Sequence, residues 1–381
     1  MSADSTAVSN PARRVAVLGA GAWGTTFAKV LADGGSHTVL WARRPEIVDE
    51  IRTTGRNNRY VPGVELEGVT ATTSLSEALD EAEQIYLAIP SQSLRAGIRQ
   101  FIETGLNLRD DAIIVSLMKG VEQGSRHRMS EVIQQELSLD PARFAVVSGP
   151  NLALEIAREQ PTAAVVASTR LETARAVAKA AATRYFRSYV STDVIGTELG
   201  GVLKNLIAIA VGIVDGVGYG ENTKASIITR GLVEISDFAV AFGARPKTMM
   251  GLAGLGDLIA TCQSPLSRNN TAGRLLGQGY SFADVVRRMD QTAEGLASVA
   301  PILELARARG VGMPIVEQVS QVLAGTLDPK DIAPHLTTDS DEPQGERTTD
   351  DIQARRRGAL WGALKRTLDQ LRDRGGNPRR D

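Results

Sequence analysis

Residues 14–24 read RVAVLGAGAWG: a short β-rich run ends in glycine, and a helix-like stretch follows at residues 23–32. The glycines form a GxGxxG pattern between a predicted strand and a predicted helix, the context in which this pattern indicates a dinucleotide site. Gly19 would permit the tight turn, Gly21 would let the backbone approach a pyrophosphate, and Gly24 would allow close helix packing. The free N–H groups at the helix N-terminus would face the phosphates. The alternative is a glycine turn that binds no ligand.

The first half of the chain continues this alternation of strand and helix. Apolar runs predict buried strands at residues 37–41, 84–88, 112–116, 144–148 and 163–167, with helical patterns between several of them. Such an order predicts an α/β fold with an N-terminal, mainly parallel, doubly wound Rossmann sheet.

The composition changes from about Thr192, where short apolar strands disappear and long helical patterns begin. Residues 202–214 read VLKNLIAIAVGIV, and polar residues stand in or beside this run at Glu198, Lys204, Asn205 and Asp215. Its uninterrupted apolar length falls short of the roughly 18 residues that indicate a membrane span. We therefore predict a buried core helix within an all-helical C-terminal domain.

Four segments follow from these patterns. They are a disordered tail at residues 1–12, an NAD(P)-binding Rossmann domain at 13–191, a helical substrate and catalytic domain at 192–330, and a final segment at 331–381. The final segment begins with a polar, acidic stretch typical of a disordered linker. Residues 352–371 can then form a basic amphipathic helix. The simpler interpretation is a helix that packs against the rest of the protein or lies in solvent. The more specific interpretation is weak contact with a membrane surface or a partner.

Charge and cysteine content exclude several classes of partner. The formal net charge of −1 provides no global attraction to nucleic acid. The single cysteine, Cys262, allows no intrachain disulfide and favours a cytoplasmic location. Three scattered histidines do not indicate a metal site. Apolar helical faces in the second domain favour a homodimer.

The end of the second predicted strand bears on which cofactor is bound. NAD-binding enzymes commonly place an acidic residue about 20 positions after the glycines. This chain has Arg43 and Arg44 there, which would hold a 2′-phosphate. We therefore expect NADP(H) to be preferred, with NAD(H) as the alternative cofactor. The other interpretation is a pair of solvated arginines at a strand end.

Lys204 is the first candidate for catalysis, because it lies within the apolar run at residues 202–214. Burial of an ammonium group is costly unless it is paired or neutral. A lysine in such a place has its pKa lowered towards neutrality, which suits proton transfer. The alternative is a lysine whose amine reaches the surface.

Several motifs, taken together, resemble the bacterial NAD(P)-dependent glycerol-3-phosphate dehydrogenase family. In the second domain they are GTELGGVLKNLIAIA at residues 196–210, NTKASIITRGL at 222–232, GLAGLGDL at 251–258, Thr261-Cys262, and SRN at 267–269. In the first domain they are NRYVPG at 58–63, KGVE at 119–122 and SGPNLA at 148–153. The resemblance runs from about Arg14 to Ala324. It implies that the protein interconverts dihydroxyacetone phosphate and sn-glycerol 3-phosphate, and that the product feeds phospholipid synthesis.

The resemblance also implies roles for matching residues. Lys204 would donate and accept the proton, Lys119 would contact substrate and cofactor, and Asp257 would orient Lys204 and bind a substrate hydroxyl. The phosphate end of the pocket would be formed by Ser267, Arg268 and Asn269. Gly149 and Asn151 would line the substrate pocket, and the cofactor would be bordered by Trp23, Ala153, Arg268 and Glu294. Position 151 departs from the family, in which serine is common there, and the region after Leu327 matches nothing in it.

Two rival functions differ in their expected behaviour. A dehydrogenase acting on a β-hydroxyacid or ketopantoate would not need the Ser-Arg-Asn phosphate site. A nonenzymatic NADP(H) sensor would not need Lys119, Lys204 and Asp257 together. A substrate panel and an absorbance assay discriminate between them.

Overall fold

One sheet forms the first part of the protein. The structure is a computed structural model, which describes residues 13–104, 108–289 and 293–333. The strands of the sheet are β1 (Arg14–Leu18), β2 (His37–Trp41), β3 (Val69–Thr72), β4 (Gln84–Leu87), β5 (Ile113–Ser116), β6 (Phe144–Ser148), β7 (Thr162–Ala167) and β8 (Phe186–Ser191). Their order across the sheet is β3-β2-β1-β4-β5-β6-β7-β8. All neighbouring pairs are parallel except β6 and β7, which are antiparallel. The predicted mainly parallel Rossmann sheet is confirmed.

Helices connect these strands and pack against the sheet. They are α1 (Ala22–Asp33), α2 (Pro45–Thr54), α3 (Leu75–Leu79), α4 (Leu94–Glu103), α5 (Met129–Leu137), α6 (Ala153–Ala157) and α7 (Leu171–Ala180). Two apolar clusters lie on opposite sides of the sheet. In β1, Val15 and Val17 belong to one cluster and Ala16 and Leu18 to the other, as expected from the two-residue period of a strand. A sheet covered on both sides has apolar residues on both faces, which explains the continuous apolar runs.

The sheet has two strands that the apolar pattern did not predict. Both β3 and β8 lie at the edges of the sheet, and neither has a continuous apolar run. Tyr189 in β8 is 66% exposed. A strand at the edge of a sheet needs less apolar sequence, because one side faces water.

The chain becomes helical after Ser191. The helices are α8 (Val194–Val217), α9 (Glu221–Ala241), α10 (Pro246–Met249), α11 (Asp257–Gln263), α12 (Arg268–Gly277), α13 (Phe282–Arg288), α14 (Glu294–Arg309) and α15 (Pro314–Leu323). A π-helical turn at Leu252–Gly256 leads directly into α11. The predicted tail at residues 1–12 and the segment from residue 334 onwards, including the predicted helix at 352–371, lie outside the described residues.

Helix α8 is the centre of the helical part. It is long and apolar enough to span a membrane, but 83% of its most apolar window is buried inside the protein. The prediction of a buried core helix is therefore confirmed. The Asp193 carboxylate caps its N-terminus by accepting from the Gly196 N–H at 2.8 Å.

A buried ion pair joins α8 to the sheet part of the chain. Glu198 accepts hydrogen bonds from the Arg128 guanidinium at 2.7 Å, and from the backbone N–H and hydroxyl of Ser130 at 2.8 and 2.6 Å. A buried carboxylate is costly unless its lone pairs are satisfied in this way. The pair therefore fixes α8 against the start of α5.

Candidate active site

The turn after β1 requires glycine at two positions. Gly19 has φ of +120°, and its N–H donates to the Trp41 carbonyl at 3.0 Å. A Cβ atom at Gly19 would lie 2.5 Å from the Ala88 carbonyl oxygen, and one at Gly24 would lie 1.9 Å from the Gly19 oxygen. Any other residue at either position would push the turn away from β4 or from α1.

The space beside this turn is open and faces an uncapped helix N-terminus. A Cβ atom at Gly21 would meet nothing within 4 Å, and the N-terminus of α1 has no side-chain cap. Its N–H groups therefore remain available to an anion, and the helix dipole favours negative charge there. An open cradle in front of uncapped N–H groups is what a pyrophosphate needs.

Asn57 holds this turn in place, a role that sequence reasoning missed. Its fully buried amide donates to the Ala20 carbonyl at 3.1 Å and to the Thr25 hydroxyl at 2.9 Å. The NRYVPG motif begins with the next residue. The signal available in the sequence was an asparagine directly before that motif, but its partners lie more than 30 residues away.

The two arginines predicted to choose the cofactor differ in their surroundings. Arg43 is exposed, whereas Arg44 is half-buried. The Arg44 guanidinium donates to the Tyr60 hydroxyl and lies 5.6 Å from the centre of the Tyr60 ring. Tyr60, a residue not predicted for the site, therefore orients Arg44. No residue in the part of the chain that the structure describes constrains Arg43 in this way.

Trp23 and Ala153 lie at the same turn. The half-buried Trp23 ring packs edge-to-face on Phe27 at 5.3 Å, and its Nε1 atom is buried without a partner among the described residues. The Ala153 carbonyl, at the start of α6, accepts from the Thr26 hydroxyl at 3.2 Å. The start of α6 is therefore tied to the first turns of α1.

The carboxyl ends of β1, β4, β5 and β6 lie side by side, and they carry both parts of the site. Lys119 follows β5 and Gly149 follows β6. Gly120 packs on Ser91 after β4, where a Cβ atom would lie 2.4 Å from the Ser91 hydroxyl oxygen. In open α/β sheets this edge is where ligands bind. The topology therefore brings Lys119 to the same edge as the glycine turn.

Two lysines meet on one buried carboxylate. Asp257 has a side chain 2% exposed, and its Oδ1 lies 3.0 Å from the Lys204 Nζ. Its Oδ2 accepts from the Lys119 Nζ at 2.5 Å. The Lys119 Nζ also donates to the Gly149 carbonyl at 3.1 Å. Residues from three distant parts of the chain thus form one cluster, with two positive charges around one negative charge.

The Lys204 amine is held from a second side by Thr261. It donates to the Thr261 hydroxyl at 2.5 Å, and that hydroxyl donates to the Asp257 carboxylate at 3.1 Å. The Lys204 side chain is only 8% exposed, so the amine does not point into bulk solvent. Sequence reasoning noted Thr261 as part of a motif but gave it no role.

Burial tunes the pKa values around this cluster. Burial lowers the pKa of Lys204 to about 8, an effect that the Asp257 charge opposes and the Lys119 charge assists. Burial raises the pKa of the neighbouring Cys262 thiol to about 12, so that thiol stays neutral. Lys204 is therefore the group near this carboxylate that can exchange a proton close to neutral pH.

Unpaired polar atoms line the wall next to Lys119. Both amide atoms of Asn151 are buried without a hydrogen-bond partner among the described residues, as is the Ser148 hydroxyl. Buried polar atoms in native proteins are nearly always paired. A polar ligand at Asn151 would satisfy them.

The Ser-Arg-Asn run begins α12. The Ser267 hydroxyl caps the helix by accepting from the Asn270 N–H at 3.2 Å, which leaves its own proton free to donate. The Asn269 Oδ1 accepts from the Gly295 N–H at 3.0 Å and so joins α12 to α14. Arg268 is exposed between these two buried residues. No acidic residue stands in the first turn of α12, so this N-terminus favours an anion.

Glu294 faces the same space from the start of α14. Its carboxylate accepts from the Ser91 N–H at 3.4 Å. Burial raises its pKa, while that hydrogen bond and the charges of Arg268, Lys119 and Lys204 oppose the rise. Glu294 is therefore placed among the positively charged residues of both predicted subsites.

Models of one enzyme family match most of the chain. Residues 14–174 match the NAD-dependent glycerol-3-phosphate dehydrogenase N-terminus, and residues 193–334 match the C-terminus of the same family. The two matches meet close to the change from sheet to helix.

Curated relatives carry the same description. A glycerol-3-phosphate dehydrogenase [NAD(P)+] of Leifsonia xyli subsp. xyli is 68% identical over 371 residues, covering 96% of this chain and 100% of the relative. One of Frankia casuarinae is 52% identical over 333 residues, covering 87% and 98%. The 4% of this chain that the Leifsonia protein leaves uncovered is shorter than the stretch after Leu327, so part of that stretch has a counterpart there.

A solved structure agrees in fold. The crystal structure of glycerol-3-phosphate dehydrogenase from Coxiella burnetii has a TM-score of 0.80 and 36% identity, covering 85% of this chain and 98% of that one. The yeast glycerol-3-phosphate dehydrogenase structure has a TM-score of 0.73 and 28% identity, covering 86% and 99%.

Proposed function

Because the chain belongs to the NAD-dependent glycerol-3-phosphate dehydrogenase family, we propose that Lys204, Lys119 and Asp257 carry out that family's reaction in it. The protein is an NAD(P)-dependent oxidoreductase that interconverts dihydroxyacetone phosphate and sn-glycerol 3-phosphate. The nicotinamide cofactor, when bound, supplies or accepts the hydride. The residues of this chain bind the two reactants and move the proton.

Lys204 supplies the proton during reduction. As the substrate carbonyl gains a hydride, its oxygen becomes an alkoxide and takes a proton from the Lys204 ammonium group. In oxidation the neutral amine accepts that proton back. A pKa of about 8 makes both forms accessible near neutral pH, which is what a general acid and base needs.

Lys119 and Asp257 set the charge and geometry around the reacting oxygen. Asp257 holds both amines within 3.0 Å of its oxygens, so neither has to reorganise when the alkoxide develops. The positive charge of Lys119 would stabilise that alkoxide, while the Gly149 carbonyl keeps its amine in place. The observation that carries this proposal is the meeting of two lysines on one buried carboxylate at the cofactor edge of the sheet.

The N-terminus of α12 would bind the substrate phosphate. Ser267 offers a hydroxyl proton, Arg268 offers a guanidinium, and the Asn269 Nδ2 has no partner among the described residues. The unpaired amide of Asn151 would bind the remaining hydroxyl of the substrate. These contacts favour a phosphorylated substrate over ketopantoate or a β-hydroxyacid.

The direct test is to follow NADPH absorbance after adding dihydroxyacetone phosphate to the purified protein. We expect rapid, substrate-dependent oxidation, with much slower turnover of dihydroxyacetone and none of ketopantoate. Turnover of ketopantoate but not of the triose phosphate would support the rival enzyme, and no turnover of any substrate would support an NADP(H) sensor.

We expect Arg44 to determine the preference for NADPH. Arg44→Ala should raise the KM for NADPH by about 10-fold or more, since a charge-assisted hydrogen bond is worth about 1.5–3 kcal/mol, and should leave the KM for NADH nearly unchanged. Arg43→Ala should have a smaller effect, because no described residue holds the Arg43 side chain in place. Steady-state kinetics with both cofactors measures this. A wild-type preference for NADH would refute the assignment.

Four further features are part of this proposal. The enzyme would act in the cytoplasm as a homodimer and deliver glycerol 3-phosphate to phospholipid synthesis, and the predicted basic helix at residues 352–371 would contact anionic membranes weakly. Sedimentation of the purified protein at the mass of a monomer would contradict the dimer. Equal binding to anionic liposomes by full-length protein and by protein truncated at Thr337 would contradict the membrane contact.

A further inference from the structure

Helices α8 and α12 touch backbone to backbone through four glycines. A Cβ atom at Gly212 would lie 2.2 Å from the Asn270 oxygen, and one at Gly273 would lie 2.1 Å from the Ile209 oxygen. The next turn repeats the arrangement, with Gly216 at 2.2 Å from the Arg274 oxygen and Gly277 at 2.1 Å from the Ile213 oxygen. These are distances that no Cβ atom can occupy, so alanine at any of the four would force the helices apart.

The contact also fixes the position of α12 along the axis of α8. Residue numbers rise together in both helices, so the helices run parallel, with a repeat of four residues in each. One turn before the glycines, Asn269 of α12 lies level with Asn205 of α8. An added Cβ atom at Gly295 would meet both, at 2.6 Å from the Asn269 Oδ1 and 3.1 Å from the Asn205 Cβ. The N-terminus of α12 is therefore level with the residue that follows Lys204.

We propose that this glycine contact sets the distance between the Lys204 amine and the phosphate-binding N-terminus of α12, and so selects substrates by the length between carbonyl and phosphate. The inference rests on the proposed function of both groups. Lys204 lies on α8 and the Ser267 cap lies at the start of α12. A rigid spacing between proton donor and anion site admits one length of substrate. The four glycines are thus positioning residues for specificity and do not themselves touch the substrate.

Separating the helices would misplace the phosphate relative to the carbonyl while leaving the lysine cluster intact. Asp257, Lys119 and Thr261 belong to other elements, and their contacts with Lys204 and with one another involve no residue of α12. Among the described residues, a single side-chain hydrogen bond, from the Asn270 amide to the Cys262 carbonyl at 3.1 Å, links α12 to the helix that carries Asp257. A displacement of about 1 Å at a reacting centre can cost about 10²-fold in rate. A substrate without a phosphate does not bind the N-terminus of α12, so its rate of turnover would not change when α12 moves.

The test compares dihydroxyacetone phosphate with dihydroxyacetone in Gly273→Ala. We expect the ratio of the two kcat/KM values to fall by about 10- to 10²-fold, while turnover of dihydroxyacetone and the KM for NADPH change little. Gly277→Ala, one turn further from the site, should destabilise the protein to a similar degree but lower the ratio less. Gly97→Ala on α4 is the control, because its added Cβ makes only ordinary contact, 3.4 Å from the Ile89 Cδ1.

A purely structural role for the glycines predicts a different pattern. Both substrates would then lose activity in proportion to lost stability, and a ratio that is unchanged in folded Gly273→Ala or Gly277→Ala would overturn the proposal. If neither variant folds, the wild-type enzyme decides: erythrulose 4-phosphate, with one more carbon between carbonyl and phosphate, should be turned over at least about 10²-fold less efficiently. Efficient turnover of this homologue would overturn the proposal. Failure of the wild type on dihydroxyacetone phosphate would instead refute the proposed function itself.

Discussion

Lys204→Met should lower kcat for the reduction of dihydroxyacetone phosphate by about 10²- to 10⁴-fold, the range that a positioned general acid contributes. Methionine keeps the length and apolar character of the stem and removes the ammonium group. The glycine turn that would bind the cofactor lies on other elements, so NADPH binding should change little. Turnover and NADPH fluorescence titration measure the two effects separately.

Lys224→Met is the matched control. Lys224 pairs with Asp215 at 3.0 Å, and its side chain is 21% exposed on α9. Removing such a partly exposed pair costs little in the free energy of unfolding. The variant should therefore stay folded, and its kcat should stay near that of the wild type. Near-normal turnover in folded Lys204→Met protein would remove this amine from the mechanism.

The same amine should govern the pH dependence of wild-type turnover. Burial lowers the pKa of Lys204 to about 8, so the amine is charged below that pH and neutral above it. Reduction needs the charged form, and its kcat should fall as pH rises through about 8. Oxidation of glycerol 3-phosphate needs the neutral form, and its kcat should rise over the same range. Two profiles that change in the same direction would contradict this assignment.

Asp257→Asn should damage both catalysis and stability. It leaves two buried amines without their counter-charge, and breaking a buried ion pair costs about 3–5 kcal/mol in the free energy of unfolding. Loss of the negative charge should also lower the pKa of Lys204 further, so the reduction profile should fall at a lower pH. Urea unfolding and the pH profile of kcat measure these two effects.

Asp215→Asn makes the same change in an exposed setting. The Asp215 side chain is 33% exposed and pairs with Lys224 and Arg274 at the other end of α8. We expect a cost of about 0–1 kcal/mol and an unchanged pH profile. Equal losses in the free energy of unfolding for Asp257→Asn and Asp215→Asn would contradict a special stabilising role of the Asp257 charge between Lys119 and Lys204.

Much of the fold could be predicted from short stretches of sequence, because the signals for strands, turns and helix starts come from neighbouring residues. The run at residues 14–24 predicted β1, the turn and α1 together, since each glycine sits where the backbone needs it. The edge strands β3 and β8 could not be predicted, because neither has a continuous apolar run. The antiparallel direction of β7 has no signature in its composition.

The contacts within the candidate site were harder to predict, because they join distant parts of the chain. Lys119 and Asp257 are 138 residues apart, and no spacing rule connects them. Resemblance to the family named both residues, but only the fold shows that Lys119 and Lys204 share the Asp257 carboxylate. Thr261 and Tyr60 were missed as partners of Lys204 and Arg44 for the same reason. Asn57 was missed because its two acceptors, one in the glycine turn and one in the first turn of α1, lie more than 30 residues away in the sequence.

The long central helix α8 has a consequence for how this protein can vary. Along its length it presents Gly200 to the π-helical turn, Gly201 to Lys119, and Gly212 and Gly216 to α12. An insertion of one residue between Lys204 and Gly212 would rotate everything beyond it by about 100° and advance it by about 1.5 Å. The glycines would then no longer face their partners. Changes in the residue count of this helix should therefore be tolerated far less than substitutions on its surface.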